Sequence, residues 1–322
     1  MDQEKILVTG GAGFIGSHLV DKLIENKEHV IVIDNLSQGK IKNIQKHIGL
    51  ENFEFHNEDI SSKNNLKYLE NVNTVYHLAA YPEVRTGFDN PSLAFEENIL
   101  KTFQLLEMIR VSNVEKIIFT SSSVVYGDSS IIPTPENFGP LKPISIYGGS
   151  KLACEGIISS YCNTYGIKGI IFRFANVIGS RSEHGVIWDF IHKIKENNKK
   201  LQVLGDGKQT KSYIHVNDCI EGLLVSGNKT SENIQIFNLS NEDWIDVISI
   251  AKIVCKLMNV DDSIIELSGG TKDGRGWVGD VKKMRLGIDK IKSEGWDLSL
   301  NSEKAVKKAC SEIISNLKIK KN

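Results

Sequence analysis

Short apolar runs alternate with longer segments of helical spacing along the first half of this 322-residue chain. The runs at 5–9, 29–33, 53–57, 74–78, 115–121 and 168–174 predict strands. Ile15, Leu19, Leu23 and Ile24 recur at helical intervals after the first run, and helical stretches also cover 91–112 and 146–166. Strand and helix in alternation, with short connections, predict an α/β fold with a doubly wound parallel sheet and helices on both faces. After residue 175 the regularity weakens. A helix at 185–197 leads to a strand at 201–204, the turn Gly205-Asp206-Gly207 and a strand at 212–215. A helix at 217–226 and a strand at 234–239 return to the sheet, and helices near 246–259 and 301–317 close the chain. The expected division is a first domain over 1–175, to which roughly 212–242 returns. A smaller interleaved α/β substrate domain takes 176–211 and 243–322. No low-complexity linker or internal repeat marks the boundary.

Composition narrows the classes. Hydrophobic residues make up 40% and charged residues 25%, as in ordinary soluble globular proteins. A net charge of −1 offers no basic surface for nucleic acid or membrane, and Lys318, Lys320 and Lys321 read as a solvated tail. The five cysteines, Cys154, Cys162, Cys219, Cys255 and Cys310, form no CxxC pair. They read as buried free thiols of a reducing compartment, so a cytoplasmic location is expected. The first strand begins too early for a signal peptide, and no apolar run approaches a membrane span. No metal site is expected.

The first strand, Lys5-Ile6-Leu7-Val8-Thr9, runs straight into Gly10-Gly11-Ala12-Gly13-Phe14-Ile15-Gly16. A glycine-rich turn between strand and helix lets backbone approach a pyrophosphate, which the helix N-terminus then attracts. The spacing Gly10, Gly13, Gly16 is one residue wider than the usual Rossmann-type fingerprint. Asp34 ends the second strand, 18 residues after Gly16, where a carboxylate takes an adenosine ribose 2′-OH. An acid there favours NAD, because it repels the 2′-phosphate of NADP. Asp59, at the tip of the third strand, has two readings: a partner for the adenine amino group, or a plain helix cap.

Tyr147 and Lys151 stand at i and i+4 on one helical face. An ammonium beside a phenol lowers the phenol's pKa by charge attraction, making it a base for a hydroxyl at neutral pH. Upstream, Ile117–Thr120 is a strand ending in Ser121-Ser122-Ser123. In open α/β sheets ligands sit beyond such strand ends, so a serine hydroxyl there can bond the oxygen that Tyr147 deprotonates. A serine-rich turn of no chemical role is the competing reading.

These stretches, together with Asp34–Ser37, His77–Ala80, Ser121–Gly127, Arg173–Asn176, Gly205–Asp218 and Gly279–Val281, resemble the extended short-chain dehydrogenase/reductase family. Within it the chain is similar to the nucleotide-sugar epimerases, in particular their archaeal-type branch, where a segment like Gly274–Trp277 precedes Gly-Asp-Val. The resemblance implies NAD-dependent epimerisation at C4 of a UDP-hexose, UDP-glucose or UDP-galactose. Tyr147 would take the proton of the sugar 4-OH while NAD takes the hydride. The 4-ketosugar would then turn and receive the hydride on its other face. The resemblance makes Ser122, Tyr147 and Lys151 the catalytic set. It implies cofactor contacts from Gly10, Gly13, Phe14, Ile15 and Gly16, from Asp34, Asn35 and Ser37, and from Asp59 and Ile60. Further cofactor contacts are Leu78, Ala79, Ala80, Tyr147, Lys151 and Phe174. Substrate contacts are Arg85, Ser122, Ser123, Tyr147, Asn176, Val186, Lys211 and Arg275. A homodimer is implied, paired through the helices at 91–112 and 148–166.

Some positions depart from the family pattern. Lys211 stands where relatives carry a diphosphate-gripping Arg, and it lacks the bidentate fork. Arg275 either reaches the diphosphate or pairs on the surface. Gly287 replaces a common aspartate. Met284 occupies a position tied to sugar size. Arg85 either lines the site or caps a helix. Sugar dehydratases of this scaffold need an acid pair where Ser123 and Val124 stand, and decarboxylases keep a glutamate at Val124, so both readings fall behind. Epimerases of UDP-glucuronate or UDP-N-acetylglucosamine, or another nucleotide-sugar oxidoreductase, remain as alternatives. A non-enzymatic NAD-binding regulator has no need of Ser122, Tyr147 and Lys151 together.

Overall fold

The structure, a computed structural model, describes residues 4–83, 90–225 and 232–319. Its first elements are β1 (Lys5–Thr9), α1 (Phe14–Glu25), β2 (His29–Ile33), β3 (Phe53–His56) and β4 (Val72–His77). A helical stretch then passes through α2 (Pro91–Ala94), a π turn (Phe95–Leu100) and α3 (Lys101–Arg110). β5 (Lys116–Ser122), α4 (Ile146–Tyr165) and β6 (Lys168–Phe174) follow. Next come β7 (Asn176–Ile178), α5 (Val186–Glu196), β8 (Leu201–Leu204), β9 (Thr210–Lys211), β10 (Tyr213–His215) and α6 (Val216–Val225). The chain closes with β11 (Ile234–Leu239), β12 (Ile245–Asp246), α7 (Val247–Leu257), β13 (Ile265–Ser268), β14 (Lys283–Met284), α8 (Asp289–Ser293) and α9 (Ser302–Ile319).

Seven strands make one sheet in the order β11-β6-β5-β4-β1-β2-β3. β1 lies parallel to both β2 and β4, with Leu7 opposite Ile31 on one side and Val75 on the other. β2–β3 and β4–β5 are parallel as well. This is the doubly wound α/β fold that the alternation predicts. The direction of winding reverses between β1 and β4, and ligands of such sheets bind outside the strand ends at that crevice. The strands fall on the apolar runs because central parallel strands are covered on both faces. Leu7, Ile31, Val75, Ile117 and Ile171 from five strands pack with Leu105, Leu106 and Ile109 of α3 and Ile158 of α4. Each such side chain contributes about 1.5–3 kcal/mol on full burial.

The chain forms two compact units, one of residues 1–125, 146–173 and 223–237, the other of 126–145, 174–222 and 238–322. The second unit holds three small sheets, β10-β7, β12-β9-β14 and β13-β8. Their strands have two to four residues, too few for a run of apolar side chains to announce them. Its core joins Ile187 and Ile191 of α5, Val254 of α7 and Val306 and Ala309 of α9. α7 starts where Asp246 accepts the Ser249 amide at 2.8 Å, a side-chain cap on an otherwise unpaired N–H. All five cysteines are buried and unbridged. No described helix is long and apolar enough to cross a membrane.

Candidate active site

In the first unit β1 turns into α1 through bare backbone. Gly10 has φ +71°, and a Cβ on it would come within 2.7 Å of the Ala79 amide nitrogen. A Cβ on Gly16 would lie 2.2 Å from the Gly10 carbonyl oxygen. Both positions therefore demand glycine for space, and Gly10 for conformation as well. The loop after β4 closes against the same turn: Leu78 N donates to Thr9 O at 3.2 Å and Ala79 N to Thr9 Oγ1 at 3.3 Å. The Gly13 carbonyl accepts the Ser17 amide at 3.1 Å, and Gly13, the cap of α1, has no side chain to block the helix end. Phe14 and Ile15 open α1, half-buried. This cradle fits the pyrophosphate of a dinucleotide.

Asp34 stands at the end of β2, buried, and accepts the Ala12 amide at 2.9 Å and the Leu36 amide at 2.8 Å. Burial raises its carboxyl above the usual range, and the two amides pull the other way. A buried acceptor beside the glycine turn suits a ribose hydroxyl and resists a phosphate. Of the two readings of Asp59, the cap fails, because Ser62 holds the cap position of the next helical turn. Asp59 instead accepts Ser61 N at 3.0 Å and Ser61 Oγ at 2.6 Å, Asn35 Nδ2 at 3.1 Å and Lys101 Nζ at 2.7 Å. Burial pushes its carboxyl up, but Lys101 and Ser61 more than offset this and hold it at about 2. Asn35 also accepts the Ser37 amide at 3.1 Å, so Asn35, Ser37 and Asp59 form one bonded rim, with Ile60 buried behind it.

Tyr147 and Lys151 share α4 as their spacing requires. Lys151 is buried, 5.9 Å from the Tyr147 ring centre and 4.7 Å from that of Phe119. Its Nζ donates to the Thr120 carbonyl at 2.9 Å, two residues before Ser122. Burial lowers the Lys151 ammonium to about 8, against the smaller pull of Cys154 and Glu155. The expectation that Lys151 lowers the phenol needs correction: burial, with Cys154 adding to it, pushes Tyr147 well above its usual range. Desolvation outweighs attraction from an ammonium at this separation. Ser122 ends β5 half-buried, its Oγ 3.4 Å from the Val124 amide, and Ser123 begins the helical turn Ser123–Tyr126.

The sequence assigned no individual role to the surrounding polar residues, although His77 and Arg173 begin two of the stretches that carry the resemblance. His77 bridges Thr9 Oγ1 at 2.8 Å and Thr102 Oγ1 at 2.9 Å. Burial and then Lys151 push it down to about 3, so it is a neutral strut and not a proton carrier. Asn98 sits in the π turn, accepts the Tyr81 amide at 2.7 Å and donates to Ser150 Oγ at 2.9 Å. Ser150 Oγ in turn donates to the Tyr147 carbonyl at 2.8 Å. The extra residue of a π turn re-aims side chains, and here it turns Asn98 onto the helix that carries Tyr147. A signal existed: Asn98 shares the buried register of Thr102, Leu105 and Ile109. Glu155 and Arg173 form a buried ion pair at 2.8 Å. Their signal was a charge in an apolar strand and a glutamate one turn beyond Lys151.

The second unit carries the remaining candidates. Lys211 on β9 pairs with Asp280 Oδ1 at 2.5 Å, 5.4 Å from the Trp277 ring centre. Asp280 Oδ2 accepts the Gly276 amide at 3.1 Å. Arg275 shows the pairing geometry of its two readings. It grips Asp128 with Nη1 at 3.0 Å and Nη2 at 2.8 Å, Asp273 with Nε at 2.6 Å, and the Asp280 carbonyl with Nη1 at 2.7 Å. Asp128, then Asp273, raise its pKa further. Asn176 Nδ2 donates to the Ser212 carbonyl at 3.1 Å. Phe174 ends β6 buried, and Val186 begins α5 half-buried. Met284 is buried opposite Lys211 in the β14–β9 register. Arg85 lies outside the described residues.

Residues 6–240 match the NAD dependent epimerase/dehydratase family. A protein of Methanocaldococcus jannaschii described as a putative UDP-glucose 4-epimerase is 35% identical over 97% of this chain and 99% of its own length. A UDP-glucose 4-epimerase of Thermotoga maritima, solved with UDP-glucose, superposes with a TM-score of 0.86 at 32% identity, covering 97% of this chain and 99% of that one. A UDP-glucuronic acid 4-epimerase of Bacillus cereus, solved with UDP-glucuronic acid and NAD, gives 0.87 at 29% identity, covering 97% and 99%.

Proposed function

Since the chain belongs to the NAD dependent epimerase/dehydratase family and is an NAD-dependent enzyme acting on UDP-sugars as a 4-epimerase, we propose that it interconverts UDP-glucose and UDP-galactose. The likeness to the Methanocaldococcus jannaschii protein along nearly its whole length carries this choice of sugar. Tyr147, Lys151 and Ser122, brought to one helix and the strand end bonded to it, support the chemistry.

The cofactor would be held by the Gly10–Gly16 turn at its pyrophosphate, by Asp34 at the adenosine ribose and by Lys151 at the nicotinamide ribose. When bound, NAD supplies the hydride acceptor and, on return, the donor. Tyr147 acts as its phenolate, its own proton first lost to solvent: it takes the proton of the sugar 4-hydroxyl and gives it back to the 4-keto oxygen. Burial favours the neutral phenol in the chain alone; the Lys151 cation, and the positive charge that NAD would bring when bound, favour the phenolate. Ser122 orients the reacting oxygen by hydrogen bond. The resemblance assigns Asn176 and Lys211 to the diphosphate, and Lys211 would bind it with the donors that Asp280 leaves.

The chain pairs with a second copy through α3 and α4. Phe95 at 54% in the π turn before α3, Phe103 at 41% on α3 and Ile146 at 46% at the start of α4 stand exposed, a large apolar outlay for a solvated face. Light scattering at micromolar concentration should give twice the chain mass of 35.9 kDa; the single mass would contradict the dimer.

The test of function is turnover of UDP-galactose, UDP-glucuronate and UDP-N-acetylglucosamine, each alone, with the product sugar identified. The highest kcat/KM is expected with UDP-galactose. A preference for either other sugar overturns the assignment, and inactivity on all three overturns the reading.

A further inference from the structure

Ser121, Glu155 and Arg173 form a buried cluster that proton transfer by Tyr147 does not use. Glu155 stands on α4 one turn after Lys151 and two after Tyr147, on the same face. Its Oε1 accepts the Ser121 hydroxyl at 2.5 Å and Arg173 Nε at 3.1 Å, and its Oε2 accepts Arg173 Nη2 at 2.8 Å. The three residues are 3%, 4% and 3% exposed in the order Ser121, Glu155, Arg173. Such a pair is a poor device for stability alone, because desolvating two charges offsets most of their attraction. Apolar side chains of the same volume would serve the core as well. They could not accept a hydrogen bond from Ser121.

That bond has a neighbour. Thr120, the preceding residue of β5, is tied to the same helix by Lys151. Two consecutive residues of the strand are therefore fastened to α4 immediately before Ser122, one through its carbonyl and one through its hydroxyl. Arg173 on β6 fixes the carboxylate that does the second fastening, so its plane cannot swing.

We propose that Glu155, locked by Arg173, is a positioning residue for the reaction: by holding Ser121 it sets the register of the β5 end against α4, and so the placement of Ser122 relative to Tyr147. The inference rests on the catalytic reading of Ser122 and Tyr147 given above. A displaced catalytic group lowers rate more than binding.

The test uses the full, NAD-loaded chain and its best UDP-sugar, with kcat, KM, retained NAD and melting temperature read for each variant. Ser121→Ala should lower kcat about 10-fold, with KM and retained NAD within about twofold. Ser121→Thr, which keeps the hydroxyl, should recover most of the loss. Glu155→Gln should lower kcat further and also lower the melting temperature, since the negative charge facing Arg173 is gone and the buried guanidinium is left uncompensated. If that variant does not fold, the Ser121 pair decides. Parental kcat in Ser121→Ala overturns the proposal. So does a loss shared equally by KM and NAD retention, or one that threonine leaves unrepaired. A parent inactive on every UDP-sugar would fail the assigned function instead, while an active parent indifferent to Ser121→Ala fails only this inference.

Discussion

The Lys151 ammonium lies 5.9 Å from the centre of the Tyr147 ring while its hydrogen bond goes to the Thr120 carbonyl at 2.9 Å. Folding lowers Lys151 from 10.5 to about 8 by desolvation, with Cys154 and Glu155 opposing. Between those two values the unfolded chain binds the proton that the folded chain has lost, so this group's contribution to stability rises with pH across that window. Below about 8 it is a buried cation, costing on the order of a few kcal/mol. Lys151→Met should therefore compare best with the parent in melting temperature at pH 7, and the comparison should worsen steadily towards pH 10. A difference independent of pH would contradict the lowered ammonium. The same variant should bind NAD more weakly.

Tyr147→Phe removes the hydroxyl and keeps the packed ring. Turnover of UDP-galactose should fall by about 10²–10⁴, with melting temperature and bound NAD unchanged. Ser122→Ala should cost less, since Tyr147 still reaches the sugar hydroxyl in poorer orientation. A folded, NAD-loaded Tyr147→Phe variant near the parental rate would disprove the mechanism.

Asp34→Ala should weaken NAD binding and narrow the preference over NADP. The carboxylate holds the Ala12 and Leu36 amides and is the group proposed for the ribose, and loss of charge-assisted bonds of this kind costs roughly tenfold or more in affinity. Titration with both cofactors checks it. Equal affinities in the unchanged protein would remove the basis for the selectivity.

Gly16→Ala drives a Cβ into the Gly10 carbonyl at 2.2 Å, whereas a Cβ on Gly149 of α4 meets nothing within 4 Å. Gly16→Ala should abolish NAD retention and lower the melting temperature. Gly149→Ala should raise the melting temperature, through about 0.5–1 kcal/mol of added stability from helix propensity. Calorimetry on the two variants reads both outcomes.

The sheet was legible because buried parallel strands need unbroken apolar runs and the crossover helices need a period near 3.6. The cradle was legible for a related reason: Gly10 and Gly16 admit no side chain, so their spacing survives as a pattern. What lay hidden depends on partners distant in sequence. Nothing local tells that Asn98 sits in a π turn and reaches Ser150, 52 residues on. Nothing local tells that Arg275 closes on Asp128, 147 residues away. The sign of the Tyr147 shift was misjudged because spacing reports the neighbouring charge and is silent on desolvation, which here is larger.

Ala12 is held at both ends of its peptide by one later segment. Its amide is bound by Asp34, and its carbonyl accepts Lys40 N and Asn43 Nδ2, each at 2.9 Å. Opening the phosphate turn therefore breaks the bonds to the 34–43 strap as well. Where cofactor release requires that opening, it is expected to be slow and to track amide hydrogen exchange at Leu36 and Lys40. A long residence time suits a catalyst that restores its own oxidant in every cycle and has no need to trade it with the surrounding pool.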